Sequence, residues 1–223
     1  MAAPTTRHPA QVQVWDRWIR ISHWLLAGAF CAAYFVVEEP LAVHVWAGYL
    51  IGALLGIRVV WGVIGPRHAR FTDFVPTPTR LRRYLGDLLR GRERRHLGHN
   101  PAGGAMVIAL LLALAATVGT GLMLYGAEEK AGPLGGWYAG DRTRLSLVAA
   151  ARADEESDYE QTGEGHEEAE TLEELHEFVA DVTLFLVGLH IAGVVATSLR
   201  ERQNLPRAMI TGRKRALDPG KSA

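Results

Sequence analysis

The chain of 223 residues has a single cysteine, Cys31, and formal net charge of zero. One thiol excludes an internal disulfide framework and any CxxCH attachment motif for a covalently bound heme. A balanced net charge is silent about nucleic acid, and no nucleic-acid partner is expected. Charge is also missing locally: residues 21–37, 44–64, 104–125 and 178–198 are long apolar stretches almost free of ionised side chains. A soluble protein of this size spreads its charge along amphipathic elements. Here the charge lies between the stretches. About 20 mainly apolar residues cross a bilayer core of roughly 30 Å, and all four stretches approach or reach that length. The first is the shortest, with Trp15, Trp18 and Trp24 around its start as an interfacial anchor. A small-residue cleavage site is lacking too: the first stretch ends in Glu38-Glu39-Pro40, so it reads as an uncleaved helix rather than a signal peptide.

These features predict an all-α integral membrane protein, a bundle of four transmembrane helices at about 15–38, 42–64, 103–126 and 172–200. Residues 1–215 form one membrane domain, followed by a flexible tail at 216–223. The distribution of charge gives the orientation. The loop 65–103 holds nine arginines against three acids, and the tail from 199 holds seven basic residues against two acids. The loop 127–174 holds fourteen acids and four bases. The positive-inside rule therefore puts both termini and the second loop in the cytoplasm. The acidic loop then faces outward, in a bacterium the periplasmic side of a multi-pass protein of the inner membrane.

The loops differ in character. Leu81, Leu85, Leu88 and Leu89 in a basic run predict a short amphipathic helix on the anionic lipid surface. Segment 152–170 is acidic, poor in apolar residues and expected to be mobile or solvated. Thr171 and Glu174 form a capping box that predicts the start of the fourth helix.

The chemistry lies in four of the nine histidines. His23 falls in the first span, His44 at the start of the second, and His176 and His190 in the fourth. Ionisable groups at membrane depth are costly and mark function. His23 lies near the cytoplasmic start of its helix and His44 near the outer start of the next. The fourth helix runs inward, so His176 is outer and His190 deeper. Fourteen residues on one helix separate these two by roughly 21 Å but only about 40° around the axis. His44 is thus level with His176, and His23 with His190. Two facing imidazoles at each of two levels suit bis-histidine ligation of two b-type hemes, in the pairs His23/His190 and His44/His176. A single zinc site cannot gather ligands that far apart, and two-histidine zinc sites lack further ligands.

Several nearby residues carry two readings each. Gly48 and Gly193 leave room for a flat macrocycle, or serve ordinary close helix packing. Arg58 pairs with a propionate of the inner heme, or snorkels to the interface. Arg70, in Arg70-Phe71-Thr72-Asp73-Phe74, binds a propionate or anchors the chain in lipid. His99, in Gly98-His99-Asn100-Pro101, reads first as part of a turn and helix cap, with a quinone pocket or propionate contact as the alternative. His68, His96 and His166 fall in polar loops and are expected to be solvated.

An ordered set of segments adds a resemblance. Val14-Trp15-Asp16-Arg17 with His23-Trp24, His44-Val45-Trp46-Ala47-Gly48, Arg58-Val59-Val60-Trp61-Gly62 and Gly98-His99-Asn100-Pro101 precede His176 and His190-Ile191-Ala192-Gly193. Together with Met209-Ile210-Thr211-Gly212-Arg213-Lys214, they resemble the bacterial cytochrome b561 family, which includes the b-type cytochrome subunits of nickel–iron hydrogenases. The resemblance spans roughly 14–215 and departs from the family in the long acidic outer loop. It implies a four-helix diheme electron carrier with the same histidine pairing. Electrons would pass between a periplasmic partner, such as a c-type cytochrome or another redox subunit, and quinone. Bis-histidine ligation leaves iron no open position, which favours electron transfer over stand-alone oxidoreductase chemistry. Two alternatives keep the same residues: a quinone-reducing oxidoreductase acting on a small donor such as superoxide, and a membrane anchor of a redox complex.

Overall fold

A computed structural model describes residues 11–35, 41–92, 95–138 and 163–216. The interior of the acidic loop, the Glu38-Glu39-Pro40 end of the first stretch and the tail beyond 216 lie outside the described residues, as does the side chain of His166.

In chain order the elements are β1 (Gln11–Gln13), α1 (Arg17–Phe35), α2 (Leu41–Ile64), a short 3-10 turn (Arg67–Ala69), α3 (Phe71–Phe74) and α4 (Pro78–Leu89). There follow α5 (Pro101–Glu129), α6 (Gly135–Tyr138), α7 (Gly163–Arg200), α8 (Leu205–Thr211) and β2 (Arg213–Arg215). Three helical segments, Leu41–Ile64, Pro101–Glu129 and Ala169–Arg200, are long and apolar enough to cross a membrane by length and composition. Their large side chains face outward. Phe178, Phe185 and Ile191 on α7 and Trp46, Val63 and Ile64 on α2 are all exposed, an arrangement that a bilayer accepts and water does not. The chain divides into two compact units, and each of the four long helices lends residues to both.

The first unit comprises Met1–Trp24, Ile57–Ala109 and Val187–Ala223. Its core gathers Val14, Trp15, Ile19 and Ala69, with Trp61 and Met209 packed against them. Asp16 caps α1, its Oδ1 accepting from the Ile19 amide at 3.0 Å. β1 and β2 pair antiparallel, Val12 opposite Lys214. Gly212 caps α8 in the left-handed region at φ 79°. Its carbonyl accepts from the amides of Val14 and Trp15 at 2.8 and 3.1 Å. A Cβ there would meet Trp15 O at 2.7 Å, so only glycine fits. Asn100 caps α5, its Oδ1 accepting from the Gly103 amide at 2.7 Å, with Pro101 in the first helical position. The cap expected around Gly98-His99-Asn100-Pro101 is thus present, and Asn100 supplies it. α4 forms where the basic run predicted a helix. Thr77 Oγ1 accepts from the Arg80 amide at 3.3 Å, and no residue of α4 is buried.

The second unit comprises Leu25–Gly56 and Leu110–Leu186. Two threonines join α5 to α7: Thr117 Oγ1 and Thr183 Oγ1 are 2.9 Å apart, and Thr183 is fully buried. Hydroxyls matched across helices hold well where no water competes. Tyr34 donates to Asp181 Oδ1 at 2.8 Å, tying α1 to α7.

The expected start of the fourth helix needs correction. α7 begins at Gly163, so Thr171 is an interior residue, and its hydroxyl donates to the Glu167 carbonyl at 2.8 Å instead of capping. Glu and Ala are good helix formers, and acidic side chains favour a helix N-terminal end, so the acidic sequence prolongs the helix. Residues 163–170 of the segment expected to be mobile or solvated are thus helical, with Glu167 and Glu170 exposed. α5 likewise runs on to Glu129, past the expected end at 126.

Candidate functional site

Each unit holds one pair of histidines. In the first, the rings of His23 (α1) and His190 (α7) have centroids 6.4 Å apart at an interplanar angle of 55°. In the second, His44 (α2) and His176 (α7) are 6.0 Å apart at 79°. Two imidazole nitrogens each about 2 Å from one metal, as metal–imidazole bonds run, put ring centroids about 6 Å apart. Both pairs fit bis-histidine ligation of one iron each. Among the described residues, no three of His, Cys, Asp or Glu cluster to hold a metal ion. Cys31 is exposed and free.

The second pair is oriented by its surroundings. The carbonyl of Ala33 on α1 lies 2.9 Å from His44 Nδ1. A carbonyl only accepts, so this bond puts the proton on Nδ1 and leaves the Nε2 lone pair to ligate. His176 Nδ1 lies 3.0 Å from Thr120 Oγ1. That hydroxyl has Ala116 O at 3.0 Å and Thr117 O at 3.1 Å to receive its own proton. Thr120 therefore accepts from His176 and again leaves Nε2 free. Gly121 makes the room: a Cβ there would meet His176 Cε1 at 2.9 Å. The pair opens on a cavity of about 550 Å³ that Gly48, Thr117, Gly121, Tyr49 and Tyr125 help to line. Cofactor sites run from about 300 to 1,000 Å³. Five carboxylates, Glu128, Glu129, Glu173, Glu177 and Asp181, line the same cavity, and among the described residues no Lys or Arg does.

The first unit differs in its electrostatics. His23 Nδ1 is buried with no hydrogen-bond partner, and so is one Arg58 guanidinium nitrogen, Nη1. Arg58 lies over the rings of Phe71 and Phe74, 5.1 and 5.7 Å from their centroids. Arg70 is exposed, and its Nε donates to Gly65 O at 2.6 Å. A Cβ at Gly48 or Gly193 would meet no atom within 4 Å, so neither glycine is needed for close helix packing.

His99 packs between Trp15 and Phe74, at centroid distances of 4.6 and 4.7 Å. Its Nδ1 is buried without a partner. Burial, and then the charges of Lys214 and Arg58, hold its pKa down at about 3. Lys214 donates from Nζ to Gly98 O at 3.2 Å and lies over the Trp15 ring at 5.4 Å. Two histidines expected in solvated loops have partners instead. His68 Nδ1 is 3.0 Å from Asp73 Oδ2, and His96 stands edge-on to Tyr84 at 5.8 Å. Short helical turns between the prolines of this loop fold its polar side chains back on one another, which composition alone does not reveal.

The sequence profile described as prokaryotic cytochrome b561 matches residues 14–212. The chain belongs to this family. It is a membrane b-type cytochrome of electron transfer, and heme is its cofactor. Comparisons with curated proteins and with solved structures gave no match. Within this cytochrome, Thr117, Thr120 and Gly121 on α5 are the site residues that histidine counting missed. Their signal was available: two hydroxyls and a glycine at helical spacing interrupt an otherwise apolar run.

Proposed function

We propose that this cytochrome b561 carries electrons across the bacterial inner membrane on two b-type hemes, between a redox partner at the periplasmic face and quinone at the other end of the path. The spacing of the two histidine pairs, 6.4 and 6.0 Å between ring centroids, carries the reading. His23 and His190 hold one heme, His44 and His176 the other. A bis-histidine heme, when bound, supplies a one-electron couple at an iron with no open coordination position. The protein's part is to hold and orient. Ala33 O and Thr120 Oγ1 fix the rings of His44 and His176 with Nε2 directed at the iron. Arg58 faces a heme carboxylate of the His23/His190 site, a role supported by its buried unpartnered nitrogen. Arg70 is the second candidate for such a carboxylate, through the guanidinium nitrogens not engaged with Gly65.

A four-span topology within one membrane domain, residues 1–215, accompanies this reading. β1 and β2 are hydrogen-bonded to each other, so residues 11–13 and 213–215 share one side of the bilayer. This supports an even number of crossings between them. Three helices qualify by length and composition. α1 is the natural fourth, since its nineteen residues span about 28 Å at 1.5 Å each, close to the hydrocarbon thickness. The arginines around both strands assign the shared side to the cytoplasm. The acidic lining around the His44/His176 cavity then faces outward, where it steers a basic partner such as a c-type cytochrome.

Liposomes test this function. Purified protein is reconstituted with ferricyanide trapped inside and an impermeant reductant outside. Internal ferricyanide is expected to bleach with wild type and to fall to the protein-free rate with His44→Ala. A heme-loaded wild type that bleaches no faster than empty liposomes would overturn transmembrane electron transfer and leave the quinone-reducing oxidoreductase and the membrane anchor.

A further inference from the structure

The two histidine pairs sit in opposite electronic surroundings. Both imidazoles of the second unit donate from Nδ1, His44 to a backbone carbonyl at 2.9 Å and His176 to the Thr120 hydroxyl at 3.0 Å. A ligand that gives a hydrogen bond from its far nitrogen becomes a stronger electron donor, which stabilises ferric over ferrous iron. Glu128, Glu129, Glu173, Glu177 and Asp181 around that cavity favour the more positive oxidation state as well. These carboxylates are largely exposed, so solvent screens them and the hydrogen bonds are the stronger effect. In the first unit, His23 Nδ1 is buried and donates to nothing. Arg58 and Lys214 both lie within electrostatic reach of His99 there, with Asp16 near Arg58 and Glu201 near Lys214, so the hydrogen bonds to the ligands set the two pairs apart.

We infer that the His44/His176 pair sets the lower of two reduction potentials and the His23/His190 pair the higher, and that Thr120 is a positioning residue for the lower one. The inference rests on the diheme reading above. Thr120 acts through His176: it fixes the plane of the ring and accepts its proton-bearing nitrogen. The hydroxyl is held for that task by Ala116 O and Thr117 O. A donor that feeds the His44/His176 end therefore finds the downhill direction leading toward the His23/His190 end.

Spectroelectrochemical titration of the purified holoprotein tests this through the heme absorbance, without any activity assay. Wild type is expected to show two resolved one-electron waves. Thr120→Val, with unchanged heme content, is expected to shift the lower wave upward and leave the upper one in place. Thr120→Ser, which keeps the hydroxyl, is expected to restore the wild-type curve. A shift confined to the upper wave, no shift at all, or a single unresolved wave in wild type would overturn the inference. A wild type that binds fewer than two hemes would instead defeat the functional reading on which it rests.

Discussion

His99 shows what a single buried imidazole does to this protein. Wedged between Trp15 and Phe74, it stays neutral down to a pKa of about 3, whereas an unfolded histidine takes up its proton near pH 6.5. Between those values the unfolded chain binds a proton that the folded chain does not. Stability is therefore complete above about pH 6.5 and falls as the pH is lowered. The loss expected between about pH 7 and pH 5 is ~2 kcal/mol from this residue. His99→Gln should flatten the slope, so thermal melts of wild type and variant at the two pH values check it. Equal acid sensitivity in both would contradict the buried neutral ring. The same scale separates the two arginines singled out in the sequence. Arg58 has a buried nitrogen without a partner, and Arg70 is exposed and tied to Gly65 O.

Among the elements, α5 gives the seat against which His176 is held. Gly121 leaves no space for a side chain, since an added Cβ would come within 2.9 Å of the ring. Gly121→Val should push His176 off its position and reduce heme per chain by about half, because overpacked sites yield by displacing the softer neighbour. Heme content measured beside helical content by circular dichroism distinguishes this from global unfolding. The role of α5 was poorly legible beforehand because it contributes no histidine, and a threonine in an apolar helix signals nothing until its partner is known. The elements legible in sequence were those written in hydropathy and charge: α2, α5, the apolar length of α7, and α4 on its leucine spacing. The start of α7 was not. Thr171 and Glu174 satisfy the pattern of a capping box, yet an interior threonine can donate to the carbonyl one turn back, as Thr171 does to Glu167. Local pattern does not decide between the two; the helix-forming residues before Thr171 do.

At the level of the whole molecule, which histidine rings lie near each other was legible because helix geometry is rigid. A separation of fourteen residues on one helix, with alternating chain direction, predicts which rings can meet, and the rings that meet are those two pairs. What sequence could not supply was the difference between the pairs. It depends on Ala33 O, Thr120 and the carboxylate lining, contacts that exist only once the helices pack. The pairing of β1 with β2, strands near the two ends of the chain, is likewise invisible until the chain folds.

The most direct test of two bis-histidine sites is heme per chain by pyridine hemochrome in His23→Ala, His44→Ala, His176→Ala and His190→Ala, with the double variants His23→Ala/His190→Ala and His44→Ala/His176→Ala beside them. About two hemes are expected in wild type and about one in every single variant, with each same-pair double no lower than its singles. Heme content indifferent to the four substitutions, or same-pair doubles that lose both hemes, would contradict it.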